Sequence, residues 1–287
     1  MHEQQGMNSP GNTPGAARDL HAALVYALDT GEPLVNETFA EGNVQRRVTG
    51  SYAPFEMPIR DARARAAADP AAFSLDQNGF TLMPHATQVA DFFDPLQLRD
   101  IYYPEVIALV KQVSGASRVV VFDHTLRSGN EQQRQQQLLR EPVFTVHNDY
   151  TEWSGPQRVR ELLPDEAEAL LQRRFAIIQV WRAVAQPIIA NPLALADARS
   201  LASDDLIISE RRYPDRIGQT YRMRHNPAHR WYYYPQMQRH EALVFKVYDS
   251  LTDGRARFTP HTSFVDPDTP TGAPPRQSIE VRTLAFF

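Results

Sequence analysis

From Ser117 to the C-terminus the chain is a succession of short β-prone runs cut by turn residues. No other feature constrains the fold as strongly. "SRVVVFDHT", "EPVFTVHNDYT", "FAIIQVWRAV", "DDLIISERRY", "GQTYRMRHN", "RWYYYP", "ALVFKVYDS", "ARFTPHTSF" and "RQSIEVRTLAFF" follow one another with Pro, Gly and Asp between them. β-Branched and aromatic residues suit a pleated, half-buried surface. Strands at such short spacing predict an antiparallel sandwich or barrel. The expected class is mainly β with flanking helices. The clearest helix is "LLPDEAEALLQRRF", with Pro164 in its first turn, acids behind it and basic residues at its close.

The first third has a different texture. Residues 1–18 are rich in Gly, Pro, Asn and Gln and lack the apolar core of a signal peptide, so a disordered lead-in is expected. "LHAALVYAL" fits a short helix or a strand. Asn78-Gly79 is a hairpin signal. "DPLQLRDIYYPEVIALVKQVSG" carries apolar residues at helical spacing and ends at Gly115, a C-cap. No linker marks a second unit. Residues 19–287 are therefore expected to be one domain, with α/β elements over about 19–116 and the β core over about 117–287.

Composition narrows the function. The 287 residues contain no cysteine, so disulfides, iron–sulfur clusters and thiolate zinc sites are excluded. A metal held by the protein must use His, Asp, Glu or backbone oxygen. The net charge of −4, with both signs interspersed, gives no footprint for nucleic acid. No apolar run reaches the ~18 residues of a membrane span. A cytoplasmic protein is expected.

One constellation carries chemistry. Strand residues i and i+2 point the same way, so in "FTVHNDYT" His147 and Asp149 project together, on the side of Val143 and Thr145, while Phe144 and Val146 take the other. In "RFTPHTSF", His261 shares the polar face of Arg257, Thr259 and Ser263. Early and late strands of a barrel can meet, and two histidines with one carboxylate form the facial set used for non-haem Fe(II). In "PRQSIEVRTLAFF", Arg276, Ser278, Glu280 and Arg282 lie on one face. A guanidinium with a hydroxyl beside it can grip a carboxylate.

The order HxD, distant His, RxS resembles the Fe(II)/2-oxoglutarate-dependent oxygenases. "VHNDYT", "SGPQRVRELL", "NPAHRWYYYPQM", "FKVYDS", "RFTPHTSF" and "PRQSIEVR" are similar to the branch that holds the fungal gibberellin desaturase, the aspergillic acid hydroxylase/desaturase and a protein of cephalosporin 7-methoxylation. The likeness covers roughly residues 45–287. It implies a double-stranded β-helix core, cupin-like and also called a jelly roll. His147, Asp149 and His261 match the iron ligands. Arg276 matches the arginine facing the distal carboxylate of 2-oxoglutarate, Ser278 its hydroxyl helper, and Arg282 is the alternative for that role. The implied reaction consumes 2-oxoglutarate and O2, releases succinate and CO2, and hydroxylates or desaturates a small molecule, natural-product or amino-acid-derived. The resemblance leaves room for a homodimer or a pathway partner protein.

Several residues invite a second reading. His124 follows Asp123, but strand neighbours point opposite ways. His225 and His229 stand at helical metal spacing, yet Pro227 between them argues for a turn. Both read as structural or pocket residues. The tyrosines of "RWYYYP" read as sheet packing, and of Trp181 and Arg182 only one can face a pocket. Lys246 and Tyr248 are expected to share a face, where the lysine needs an acidic partner or an anionic ligand. "RSGNEQQRQQQLLREP" reads as a solvated helix or as a flap before the metal strand. Two other functions stay open: a cupin-type metal enzyme without 2-oxoglutarate, which would not need Arg276 and Ser278, and a non-catalytic accessory protein.

Overall fold

A computed structural model describes residues 17–38, 46–137, 139–214 and 216–287. Residues 1–16 of the expected lead-in lie outside the described residues. Arg18 is tied down, its backbone N–H to Asp61 and its guanidinium to Asp266, both at 3.1 Å.

The strands among the described residues are β1 (Leu20–Leu28), β2 (Leu34–Thr38), β3 (Arg46–Val48), β4 (Ser51–Asp61), β5 (Phe80–Pro84), β6 (Arg118–Ser128), β7 (His147–Asn148), β8 (Phe175–Ala183), β9 (Leu193–Ala196), β10 (Leu206–Arg212), β11 (Ile217–Met223), β12 (Trp231–Tyr233), β13 (Glu241–Asp249), β14 (His261–Ser263) and β15 (Gln277–Phe286). They make two sheets. The larger runs β1-β4-β12-β9-β14-β7-β11-β10-β2-β3, the smaller β5-β13-β8-β15-β6. This is the expected mainly β architecture with a jelly-roll core. The early strands β1 to β4 extend the larger sheet at both ends. "LHAALVYAL" settles as a strand because Leu20, Ala22 and Leu24 alternate with exposed residues.

The core has layers. Ile177, Trp181 and Ala183 of β8 pack with Leu195, Tyr221 and Phe245 between the sheets. Ala176, Ile178 and Val180 pack instead under the helix Tyr103–Ser114, through Val106, Leu109 and Val110. A strand buried on both faces reads as a continuous apolar run, which is how "FAIIQVW" is written. The helix ends as expected at Gly115, whose φ of 76° and N–H to the Lys111 carbonyl make a left-handed cap.

Three expectations change. Asn78-Gly79 turns the chain, but no strand precedes it; β5 pairs with β13 instead. Pro164 does not open a helix. It separates Ser154–Leu162 from Ala167–Leu171, since the residue before proline is driven out of the helical region and Leu163 sits at φ −133°, ψ 54°. Lys246 and Tyr248 do not share a face, because the register of β13 slips between them. No helix among the described residues is long and apolar enough to cross a membrane.

Candidate metal centre

β7 is short and lies between β14 and β11, with His147 directly opposite His261. Residues opposite each other in a ladder share a face. Asp149 follows at the end of the strand. One ligand atom each from His147, Asp149 and His261 lies within 4.8 Å of the others. The three residues expected as a metal set are therefore brought together.

Each side chain is held by its far side. Nδ1 of His147 is 2.8 Å from the Thr145 carbonyl, and Nδ1 of His261 is 3.0 Å from the Thr259 carbonyl. A carbonyl only accepts, so both Nδ1 atoms carry the proton and both Nε2 lone pairs are left for a metal. Oδ2 of Asp149 accepts from Nε2 of Gln179 at 2.7 Å and from Nε of Arg282 at 3.0 Å. Oδ1 is turned to His147 Nε2, 3.6 Å away. Burial works to raise the Asp149 carboxyl, but Arg282, then His147 and His261, hold it well below the usual range. Burial, with His261 beside it, pushes His147 well below the usual imidazole range. A neutral imidazole and an ionised carboxylate are the forms that bind metal. Asn148 braces the turn, donating to the Tyr150 and Val247 carbonyls at 2.7 and 2.9 Å and accepting from the Thr259 N–H at 3.1 Å.

Arg276 and Ser278 sit as a second half of the site. Nη1 of Arg276 donates to Ser263 Oγ, two residues beyond His261, and to the Asn191 carbonyl, both at 2.7 Å. Nε of Arg276 and Oγ of Ser278 are buried with no partner, although the residues are only 2% and 1% exposed. Burial, with Arg127 nearby, pulls the guanidinium down to about 9. A cation so desolvated, with a hydroxyl beside it, fits an incoming carboxylate.

Arg282 stands elsewhere. It pairs with Asp149, Asp123 and Glu280 and reaches Thr125 Oγ1 at 3.0 Å. Its donors are committed to Asp149 and its neighbours. Gln179 was not singled out from sequence. The only signal for it is alternation with Trp181, which faces the same interior, while Arg182 turns away to His85 and the Tyr102 ring.

The remaining expectations divide cleanly. His124 meets the Tyr103 hydroxyl at 2.6 Å. His229 joins Asp205 at 2.9 Å and Tyr26, and His225 stacks on Phe55, so both are structural. Tyr232 and Tyr234 face the inter-sheet core, Tyr233 the outer one. Lys246 finds its acidic partners in Asp76 and Asp249, each at 2.8 Å. In the polar run, Glu131–Gln137 is a helix, and its Gln133 is bonded to Ser128 and Gln277 at 2.7 Å.

Comparison with known proteins agrees with this geometry. A family model described as oxidoreductase/YMDC permease-like domain matches residues 24–286. The hydroxylase/desaturase CTB9 of Cercospora beticola is 35% identical over 237 residues, covering 75% of this chain and 72% of that protein. The Fe(II)/2-oxoglutarate-dependent dioxygenase nvfI of Aspergillus novofumigatus is 31% identical over 249 residues, covering 84% and 87%. Among solved structures, a variant of the iron and alpha-ketoglutarate-dependent endoperoxidase NvfI superposes with a TM-score of 0.83 at 28% identity, over 96% of this chain and 99% of that one.

Proposed function

The chain belongs to the Fe(II)/2-oxoglutarate-dependent oxygenases, and from that premise we propose that His147, Asp149 and His261 hold the iron while Arg276 and Ser278 receive the distal carboxylate of 2-oxoglutarate. The enzyme oxidises a small molecule with O2, converting 2-oxoglutarate to succinate and CO2. The two other functions left open by the sequence are not favoured, because the relatives named above are 2-oxoglutarate-dependent or hydroxylating enzymes. We take the outcome to be hydroxylation or desaturation, the activities in the name of the Cercospora relative. A cytoplasmic location belongs to the same proposal, since ferrous iron and 2-oxoglutarate are both supplied there.

One observation carries the residue assignment: the buried Nε of Arg276 and Oγ of Ser278, both without partners, stand on the side of a set of two imidazoles and one carboxylate. Iron with 2-oxoglutarate supplies the oxidising power that removes hydrogen from the substrate. The chain's residues prepare for it. Thr145 and Thr259 aim the imidazoles. Gln179 and Arg282 aim Asp149. Phe245, edge-on to His261 with ring centroids 4.9 Å apart, and Trp181, 5.5 Å under the Arg276 guanidinium, keep the site dry.

Anaerobic addition of Fe(II) and then 2-oxoglutarate to the purified protein should develop a weak visible charge-transfer band. His147→Ala should abolish it by losing iron. Arg276→Met should keep iron but weaken 2-oxoglutarate about tenfold or more, the loss of a charge-assisted contact. An unchanged 2-oxoglutarate affinity in Arg276→Met would sink the assignment.

A further inference from the structure

The mouth of the site carries positive charge that iron and 2-oxoglutarate do not account for. Arginines gather there from both sheets. Arg127 stands on β6 directly opposite Ser278 on β15, so the two share a face. Thr125, two residues earlier on that face, touches Arg282. Arg140 is bridged to Arg127, and its carbonyl accepts from the Ser128 N–H at 3.0 Å. Arg211 comes from the larger sheet. On β11, Arg222 lies opposite His147, and Thr220, two residues before it, lies opposite Ser209 of β10, two residues before Arg211. Alternation therefore puts Arg211 and Thr220 on the face of His147.

Tyr213 lies in the turn that joins β10 to β11, with the Arg216 guanidinium 4.8 Å over its ring. Burial pushes its phenol up, but Arg211, Arg216 and Arg140 together hold it below the usual range. The same reach extends to the metal ligands. Arg211 helps to lower the Asp149 carboxyl. Burial pulls the Arg127 guanidinium down, while Glu280 and Asp149 act on it from the site.

Arg216 reaches Glu161 at 3.9 Å and Arg211 hydrogen-bonds the Tyr213 phenol, but neither Arg127 nor Arg211 pairs with a carboxylate among the described residues. The acids nearest the site, Asp149, Glu280 and Asp123, are all taken by Arg282. Arg127 donates to the Glu141 carbonyl at 2.9 Å and meets no carboxylate. Nε of Arg211 and the hydroxyl of Thr220, a residue 5% exposed, are buried without a partner. Desolvating a cation or a hydroxyl with nothing opposite is costly. Such groups persist where a ligand supplies the missing anion.

We propose, resting on the oxygenase reading above, that the primary substrate is an organic acid whose carboxylate is taken between Arg127 and Arg211, with the Thr220 hydroxyl as a third donor. The acid end is held at the rim, and the body of the substrate runs inward toward Asp149. Arg140 supports the same field from behind Arg127.

A carboxylate at these donors has two sources, the primary substrate or 2-oxoglutarate itself, and the test separates them. The anaerobic protein, loaded with Fe(II) and 2-oxoglutarate, is titrated with hexanoic, octanoic and decanoic acids and with their methyl esters. The visible band and the thermal midpoint are both followed. At least one acid should bind, and its ester should bind about tenfold more weakly, the loss of one charge-assisted contact. Arg127→Met and Arg211→Met should each erase that preference, and Thr220→Val should reduce it, with the 2-oxoglutarate titration left where it was. Equal binding of acid and ester, or binding of neither, overturns the proposal. So does an Arg127→Met variant that loses 2-oxoglutarate about tenfold but keeps the acid preference, which would give Arg127 to the co-substrate. Absence of any band with 2-oxoglutarate strikes down the oxygenase reading itself, and this proposal with it.

Discussion

How tightly the site grips a metal rests on where Asp149 points, and two side chains decide that. Gln179 and Arg282 both hold Oδ2, leaving Oδ1 toward His147. Gln179→Leu removes one restraint from a fully buried position. Iron affinity should fall about tenfold or more, the usual effect of losing a partner behind a ligand, as read by anaerobic Fe(II) titration; an unchanged affinity would mean that Arg282 alone suffices. Arg282→Met is a different kind of change, because Asp149 and Glu280 stay buried without their cation. Removing one partner of a buried pair costs about 3–5 kcal/mol. Chemical denaturation of the metal-free variant should show a loss of that order, and a loss near zero would deny Arg282 the anchoring role. At this scale alternation made it legible that His147 and Asp149 share one face and Arg276 and Ser278 another, while His261 meets the first pair only through the pairing of β14 with β7. Gln179 was not legible. It lies in an apolar run, and its partner Asp149 follows β7 of the other sheet. Arg282 was visible but ambiguous, because face-sharing cannot say which carboxylate a guanidinium finds.

Elements are where local patterns were overridden. The slip in β13 leaves Lys246 on the outer face with Val244, where Asp76 and Asp249 meet it, and turns Tyr248 inward to stack on Phe175. A period-two reading cannot foresee a bulge, which answers to the partner strand. Asn78-Gly79 has a role other than the hairpin it suggests. Gly79 holds φ at 91°, and a Cβ there would come 2.1 Å from Thr259 Oγ1. The Gly79 carbonyl also accepts from that hydroxyl at 3.1 Å, and the Thr259 carbonyl orients His261. Gly79→Ala combines left-handed strain with a clash, about 2–4 kcal/mol in all, and should loosen iron as Thr259 shifts. Denaturation and iron titration on the same variant check both effects. A loss of stability with iron affinity intact would separate this turn from the metal site.

Across the whole molecule, buried and half-buried histidines set a direction for pH. His85, His124 and His229 are each held below 6.5, by burial first. They are neutral in the fold, so as pH falls the unfolded chain binds protons before the folded one does. Stability rises with pH wherever the unfolded state binds more protons. Their contribution is therefore complete above ~6.5 and is lost as pH falls through that value toward the lower folded ones. The thermal midpoint of the metal-free protein should drop between pH 7.5 and pH 5.5, and a flat or rising midpoint would contradict it. By itself the sequence determined a mainly β chain without thiolate chemistry, with His147 and Asp149 on one strand face and Arg276 and Ser278 on another. These follow from composition and from strand alternation, which are local properties. Tertiary structure alone decided that His261 comes opposite His147, that Gln179 and Arg282 steer Asp149, that Tyr248 turns inward, and that Arg127 comes opposite Ser278 while Arg211 shares the face of His147. Each of these depends on which strands lie side by side and in what register, and pairing between distant segments is a property of the packed sheets, not of any single run of residues.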